Sequence, residues 1–372
     1  MFQRLQGMRF LRTVWLAATL AGFASAQPDV VIRSTTRLVQ VHVAAADRQG
    51  NPVADLRKEE FQILDDGKPQ PLALFVGEGG STGREVEPTN AAAVPEHAKA
   101  QAPGYSAILL DWLNASIADR LRAVDGLRAV LKSLQPRQKV ALYALGLEPP
   151  NSAAPLRLIR NFTDAPVELA NVIEDPGVLP NPELSEPPGR FDARFGNPRG
   201  RMNVEEQLYD WNNRIRDTAR ALSELAGRMA PLRGPKSLIW LSTGFPMVVN
   251  GGVVPGAHAL DAVYYREVEG AVDRLNRADV TVHTVNSSGL APVTRTYEAT
   301  LQHFAERTGG LEFFGRNDLP AGVRAALEDM HAGYTLGFVV PEGGRPGVHN
   351  IQVRSTRPRL ALRFRDSYEL AW

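Results

Sequence analysis

The chain has 372 residues, with 42 Lys and Arg against 41 Asp and Glu, and it contains no cysteine. The resulting net charge of +1 gives no electrostatic basis for binding nucleic acid or an anionic membrane. Without cysteine there is no disulfide and no thiolate metal site, so stability must come from a packed core. A hydrophobic content of 44% in a chain of this length is enough for two domains, or for one large domain with an appendage.

Residues 1–26 have the pattern of a secretory signal peptide. Arginines precede an apolar run over residues 14–24, and small residues at 24–26 suit a signal peptidase, so we expect the mature chain to begin at Gln27. No later stretch reaches the roughly 18 unbroken apolar residues that a membrane-spanning helix needs. The sequence therefore predicts an exported protein, periplasmic or secreted, with no transmembrane segment.

Two stretches rich in Pro, Gly and Ala divide the rest of the chain. Residues 77–104 have no hydrophobic period and are predicted to form a linker after an N-terminal β segment, residues 27–76. Residues 174–203 carry six prolines and little apolar content. Because a stretch of that length without secondary structure is uncommon in a compact domain, we interpret it as a Pro-rich surface loop.

Strands and helices alternate regularly over residues 105–332. The predicted order is strand, helix, two closely spaced strands, two helices, and then strand and helix three times. The two closely spaced strands, VALYAL and LRLIRNF, favour a hairpin. Apolar residues recur at steps of three and four from Val204 to Met229, which predicts a long helix with one apolar stripe. Apolar strands that alternate with helices are typical of a doubly wound, mostly parallel α/β sheet.

The two flanks of this region have the period of antiparallel β-structure. Residues 39–43 alternate valine with polar side chains, and residues 65–68 (DDGK) are a strong hairpin signal. Alternation in residues 333–372 predicts about three more strands. Because two or three strands are marginal alone, we hypothesise that the segments 27–76 and 333–372 pair into one small β-sandwich beside the α/β domain.

Small polar residues follow three of the predicted strands, where each strand ends. They are Asp111, Asn114 and Ser116 after the first, Thr163 and Asp164 after the third, and Ser242 and Thr243 after the fourth. Open α/β sheets bind ligands beyond the carboxyl ends of their strands, so we expect all seven side chains to converge in one crevice. Trp112 and Phe245 either form an aromatic rim around this crevice or pack beneath the adjacent loops.

The order of elements over residues 105–331 resembles the von Willebrand factor A (VWFA) domain. Three segments carry the resemblance, namely AILLDWLNAS, RNFTDAP and LIWLSTGFP. With the flanking VQVHVAAADRQGNPVADLRKEEFQILDDGKPQPLALF and AGYTLGFVVPEGG, nearly the whole mature chain is similar to exported VWFA-related proteins of the acidobacterial type. The resemblance implies a doubly wound α/β fold and a protein-binding or adhesion module, with no known reaction.

Metal-binding members of the VWFA family ligate Mg²⁺ or Mn²⁺ through oxygens. Their first strand ends in Asp-x-Ser-x-Ser, a threonine comes from a second loop, and an aspartate follows the fourth strand. In this chain Asp111 and Thr163 match that pattern, whereas Leu113, Ala115 and Thr243 depart from it. The resemblance therefore implies a degenerate metal site.

Two interpretations of this degenerate site remain open. In the first interpretation, Mg²⁺ or Mn²⁺ binds a shifted ligand set formed by Asp111, Ser116 and Thr163, although such ions prefer one or two carboxylates. Alternatively, Asp111 and Thr163 hydrogen-bond the loop amides, a common use of short polar side chains in turns. The second interpretation predicts a site without a cofactor.

A hydrolase is a third class of function to weigh. The chain has no Gly-x-Ser-x-Gly motif, and Ser242 ends a strand with no paired base in view. The leading expectation is an exported, non-enzymatic module that binds another protein at the crevice without a metal. A Mg²⁺- or Mn²⁺-dependent adhesion domain is the alternative, and a hydrolase is the least favoured.

Overall fold

Strands and helices account for most of the described residues. In the computed structural model these are residues 37–77, 104–134, 138–146, 155–175, 204–245, 257–290, 295–330, 333–340 and 343–370. The strands are, in chain order, β1 (Arg37–Ala46), β2 (Phe61–Asp65), β3 (Lys68–Gln70), β4 (Leu74–Gly77), β5 (Tyr105–Asp111), β6 (Lys139–Leu145), β7 (Leu156–Thr163), β8 (Lys236–Ser242), β9 (Val280–Asn286), β10 (Glu312–Phe313), β11 (Gly333–Val340), β12 (Gly347–Ser355), β13 (Ala361–Phe364) and β14 (Ser367–Leu370). The helices are α1 (Ile117–Ser133), α2 (Pro166–Glu174), α3 (Val204–Met229), α4 (Ala257–Arg277), α5 (Arg295–Thr308) and α6 (Leu319–Asp329), with a 3₁₀ turn at Lys58–Glu60.

The central sheet has six strands in the order β10-β9-β8-β5-β6-β7. The first five run parallel to one another, and β7 runs antiparallel to β6. Strands β5, β6, β8 and β9 are buried over almost their whole length, because α1, α2 and α6 cover one face and α3, α4 and α5 cover the other. The prediction of a mixed α/β fold with a mostly parallel sheet is confirmed.

The long helix α3 packs along the sheet through one apolar stripe. Ile215, Leu222, Leu225 and Met229 are fully buried in the core on this face. Steps of three and four residues place them on the same side of the helix, as the sequence pattern predicts. Helix α3 therefore packs on one particular face of the sheet. This face carries the odd-numbered side chains of β5 and the even-numbered side chains of β8.

The flanking strands form two antiparallel sheets of four strands each, in the orders β13-β1-β11-β4 and β14-β12-β2-β3. Strand β1 pairs with β11 over eight residues, and β12 pairs with β2 over five. Apolar residues of both sheets share one hydrophobic cluster, including Val41, Ile63, Tyr334 and Phe338. Strands from the two ends of the chain thus pair directly with each other, and the C-terminal flank holds four strands where the alternation predicts about three.

The hairpin between β2 and β3 has the tight turn that its sequence predicts. Asp65 pairs with Lys68 across the turn. The two central residues, Asp66 and Gly67, have positive φ angles of 46° and 78°. Positive φ at both positions is the geometry of a type I′ turn, which Asp-Gly favours.

Four ion pairs among the described residues join the antiparallel sheets to the α/β layer, one of them between Arg365 and Asp279 at 3.4 Å. Arg277 of α4 contacts Glu369 at 2.6 Å, Arg363 of β13 contacts Asp329 at 2.5 Å, and Arg307 contacts Asp366. The described residues all belong to one compact unit, Thr35–Trp372.

Several predicted segments lie outside the described residues, namely the signal peptide 1–26, most of the linker 77–104 and most of the Pro-rich loop 174–203. Within the described parts of the chain, none of the helices has both the length and the apolar character needed to cross a bilayer.

Candidate functional site

The carboxyl edge of the central sheet is built around Asp111, the last residue of β5, which is 1% exposed. Its Oδ1 accepts the main-chain N–H of Asn114 at 3.0 Å. Its Oδ2 accepts the hydroxyl of Ser242 at 2.6 Å, the side-chain amide of Asn114 at 2.9 Å and the indole N–H of Trp240 at 3.2 Å. An ionised carboxylate offers about four acceptor positions, two on each oxygen, and the protein places three donors at Oδ2 and one at Oδ1.

The environment of Asp111 combines deep burial with neutral hydrogen-bond donors. Burial raises the pKa of Asp111, because desolvation disfavours the charged carboxylate, while hydrogen bonds from Ser242, Asn114 and Trp240 act in the opposite direction. None of the donors that bond this carboxylate carries a charge. The edge is therefore organised by a buried carboxyl group that protein dipoles solvate.

The hydrogen bonds continue from Asp111 to the neighbouring loops and to α3. The side-chain amide of Asn114 also donates to Oγ1 of Thr218 on α3, at 3.0 Å. The hydroxyl of Thr243 donates to the carbonyl of Asn114 at 2.7 Å, and the N–H of Gly244 donates to Oγ of Ser242 at 2.9 Å. One network thus fixes the loop after β5, the loop after β8 and the middle of α3.

Arg120 holds the loop after β5 from the side of α1. This arginine is 3% exposed. Its Nε donates to the carbonyl of Ala115 at 3.1 Å, and its Nη2 donates to the carbonyl of Trp112. Its guanidinium also lies 5.7 Å from the centre of the Trp112 ring, within cation–π range. Residues 112–116 are therefore held by hydrogen bonds to the Asp111 carboxylate on one side and to the Arg120 guanidinium on the other.

Ser116 begins α1 as its N-cap. Its Oγ accepts the N–H of Asp119 at 3.2 Å and donates to the Asp119 carboxylate at 2.5 Å, so the two residues form a capping box. The hydroxyl of Ser116 is therefore used by the start of the helix.

The prediction that Thr163 and Asp164 join this crevice is wrong. Thr163 ends β7, which runs antiparallel, and it pairs with Val140 near the start of β6, whereas Asp111 pairs with Leu145 at the end of β6. Five residues of strand separate the two levels, or about 16 Å. Thr163 accepts the N–H of Ala165 at 3.0 Å, the loop contact that the second interpretation of the degenerate site predicts.

The shifted ligand set of Asp111, Ser116 and Thr163 is therefore not assembled in the structure. Thr163 lies at the opposite edge of the sheet, and Asp111 is already bonded by four donors. The structure brings together Asp111, Asn114, Ser242 and Thr243 instead.

The two aromatic side chains of the crevice are both buried. Trp112 is 2% exposed and packs among the residues under α1, and Phe245 is 3% exposed and packs near Trp240, with ring centroids 6.2 Å apart. They do not form an exposed rim, and their burial agrees with the alternative that they pack beneath adjacent loops.

Sequence reasoning missed three members of this network, Trp240, Thr218 and Arg120. Trp240 precedes Ser242 by two positions, so strand alternation places both side chains on one face of the sheet. The sequence alone could therefore have predicted that Trp240 lies beside Ser242. Thr218 lies 104 residues from its partner Asn114, and local spacing carries no information about such a pair.

Comparisons with known proteins place few constraints on the chain. No protein-family model matches it, and no curated protein matches it. Manganese-loaded TRAP protein from Plasmodium vivax overlaps 73% of this chain and 95% of its own, with a TM-score of 0.30 and 11% identity. The pilus adhesin SpaC from Lactobacillus rhamnosus GG in its open conformation overlaps 72% of this chain, with a TM-score of 0.34 and 10% identity. A second form of SpaC overlaps 73%, with a TM-score of 0.33 and 11% identity.

The chain spans less than half of the SpaC structures, 43% and 38% of their lengths. Overlaps as weak as these three do not identify a shared function.

Proposed function

We propose that this chain is an exported, non-enzymatic protein that binds another protein at the carboxyl edge of a VWFA-like domain without a metal ion. The four hydrogen bonds that Asp111 accepts carry the proposal. A divalent cation recruits carboxylate oxygens that are free to replace its water ligands. Here an ion would have to displace hydrogen bonds from Ser242, Asn114 and Trp240, which already stabilise the edge.

The partners of Ser242 support a non-enzymatic function. A serine nucleophile is ordinarily activated by a histidine or an amine base. Among the described residues, the hydroxyl of Ser242 donates to Asp111 and accepts from the N–H of Gly244. Ser242 is also 0% exposed, so its oxygen is not presented to a substrate.

The contact surface in this proposal includes the exposed loop that follows β9. Leu290 follows β9 at the carboxyl edge and is 64% exposed. Its N–H donates to Oδ1 of Asn317 at 3.0 Å, and Nη1 of Arg122 donates to the carbonyl of Ser287 at 2.7 Å. Because these bonds fix the loop 287–290 in advance, the loop loses little conformational entropy when a partner covers Leu290.

A matched pair of leucine and valine variants tests this assignment. Leu290→Ser removes the exposed side chain at the carboxyl edge, whereas Val348→Ser removes a side chain of 50% exposure on β12. We expect an immobilised Leu290→Ser protein to retain about tenfold less of its specific partner from an extract of the source cell envelope than wild type, a loss of about 1.4 kcal/mol. Val348→Ser and added chelator should leave capture unchanged. Equal capture by both variants would contradict the assigned surface.

Export has its own test, because it rests on the pattern in residues 1–26. Sequencing the amino terminus of the protein from its native cells should give a mature chain that starts at Gln27. An intact signal sequence on protein from the cytosolic fraction alone would contradict export.

A further inference from the structure

A second polar cluster lies in the antiparallel sheets, away from the carboxyl edge. Asp65 and Asp66 occupy the β2–β3 turn, and His349 lies near the start of the adjacent strand β12. Nδ1 of His349 is 2.9 Å from Oδ1 of Asp65 and 3.4 Å from Oδ2 of Asp66. One ligand atom from each side chain lies within 4.8 Å of the other two. Ligands on one ion with bonds of about 2.1 Å are separated by similar distances.

The orientation of the His349 ring is set from its other side. Nε2 lies 2.7 Å from the carbonyl oxygen of Arg345, and a carbonyl only accepts, so Nε2 carries a hydrogen. This leaves Nδ1 directed at two carboxylate oxygens. Metal-ligating histidines characteristically donate their second N–H to a carbonyl or carboxylate in this way.

Tyr368 brings a buried hydroxyl to the same cluster. It is 4% exposed and packs on the His349 ring, with centroids 5.0 Å apart. The side chain of Asp65 lies beside its hydroxyl. No described residue meets hydrogen-bond geometry with this hydroxyl. A buried phenol at this position is suited to bond a water ligand of an ion.

Arg345 is the cation that now contacts the cluster. Its Nη2 lies 2.7 Å from Oδ2 of Asp66, and its side chain is 68% exposed. Oδ1 of Asp66 accepts the main-chain N–H of Asn350 at 3.0 Å, which orients the carboxylate independently of Arg345. An exposed ion pair of this kind is weak, so a divalent cation can displace the guanidinium.

We propose that Asp65, Asp66 and His349 bind a divalent transition-metal ion, for which Zn²⁺ and Mn²⁺ are the probes. One imidazole nitrogen and two carboxylates suit such ions, and the two carboxylates balance the charge of the ion. Asp66 is on the exposed side of the cluster and leaves room for water ligands. The bound ion would join the β2–β3 hairpin to β12, at a site separate from the proposed protein-binding edge.

Titration calorimetry of Zn²⁺ and Mn²⁺ into the chelator-treated full protein tests the site. We expect one saturable site in wild type, and at least a tenfold loss of affinity in His349→Gln and in Asp66→Asn. His303→Gln is the matched control, because it removes a histidine that pairs with Glu269 at 2.7 Å elsewhere in the protein and should leave affinity unchanged.

The competing arginine provides a gain-of-binding variant. Arg345→Gln should raise affinity about two- to fivefold, since the ion no longer displaces an exposed guanidinium from Asp66. If His349→Gln fails to fold, Asp66→Asn and Arg345→Gln still test the proposal. Equal binding in wild type and Asp66→Asn, or no saturable binding in wild type and Arg345→Gln, would overturn it; the latter result would leave a proton as the only cation at His349.

Discussion

At the scale of single residues, Asp111 decides how the carboxyl edge is held together. Asp111→Asn keeps the size of the side chain but replaces an acceptor oxygen with a donor, opposite the donors of Ser242, Asn114 and Trp240. A buried donor that loses its acceptor costs about 1 to 3 kcal/mol, so we expect a loss of about 2 kcal/mol in the free energy of unfolding. Chemical denaturation measures this loss.

The control for that variant is Asp125→Asn on α1. The Asp125 side chain is 70% exposed and pairs only with Arg128 in the described contacts, so its substitution should change stability by less than about 0.5 kcal/mol. Equal stability of Asp111→Asn and wild type would show that the network does not hold the edge.

His283 makes stability depend on pH. It is fully buried on β9, and burial lowers its pKa to about 4, although Asp329 acts in the opposite direction, while Arg363 and His42 lower it further. A histidine whose pKa is lower in the folded state binds fewer protons there than in the unfolded chain. Stability is therefore fully present above the unfolded pKa of 6.5 and is lost as the pH falls towards 4.

The expected loss from His283 is about 3 kcal/mol in the free energy of unfolding once the pH is below both pKa values. Denaturation curves from pH 7 to pH 4 measure it, with His283→Gln beside wild type. The variant should show a shallower decline between pH 6.5 and 4. Parallel declines in the two proteins would rule out His283 as the titrating group.

At the scale of elements, the positive φ of Gly67 in the β2–β3 turn and the helical position of Gly227 in α3 predict opposite effects of alanine. Neither glycine has an atom within 4 Å of an added Cβ, so packing does not decide either case. Gly67 has φ +78°, which strains alanine, and Gly67→Ala should cost about 1 kcal/mol. Gly227→Ala should stabilise α3 by up to about 1 kcal/mol.

Thermal unfolding of the two glycine variants checks this pair directly. The midpoint should fall for Gly67→Ala and rise for Gly227→Ala. A fall of equal size in both would mean that the turn geometry of Asp66 and Gly67 is not what distinguishes them.

Periodicity predicted the elements well because burial repeats along the chain. Local spacing was enough to predict the structure of three segments, namely residues 39–43, the DDGK turn and the apolar stripe of α3. The direction of a strand is not predicted in this way, because the pattern of LRLIRNF indicates a strand but not whether it runs parallel or antiparallel to its neighbour. The predicted hairpin already implied that β7 runs back, and applying that to Thr163 would have placed it at the far edge.

Contacts between distant segments account for what the sequence did not predict at the site. Thr218 and Arg120 join the network through the packing of α3 and α1. The proximity of Asp65 to His349, 284 positions apart, follows from the pairing of β2 with β12. Polar residue type alone does not indicate such pairs.

At the scale of the whole molecule, the two ends of the chain depend on each other and on the α/β layer. We propose that residues 27–76 and 333–372 fold as one unit against residues 105–332. Ion pairs such as Arg363 with Asp329 cross between the two parts. A fragment of residues 105–332 should therefore melt at a lower temperature than the full chain. A soluble, monodisperse fragment with an undiminished melting temperature would contradict this proposal.

The central claim is that the carboxyl edge works without a metal, and one titration tests it most directly. Mn²⁺ is added to chelator-treated wild type, Asp111→Asn and His349→Gln, each under conditions where it is folded. The account predicts that Asp111→Asn leaves metal binding unchanged and that His349→Gln lowers the affinity at least tenfold. No binding in any of the three proteins would remove the hairpin metal site and leave the metal-free edge intact. Binding that is lost in Asp111→Asn and kept in His349→Gln would contradict the central claim.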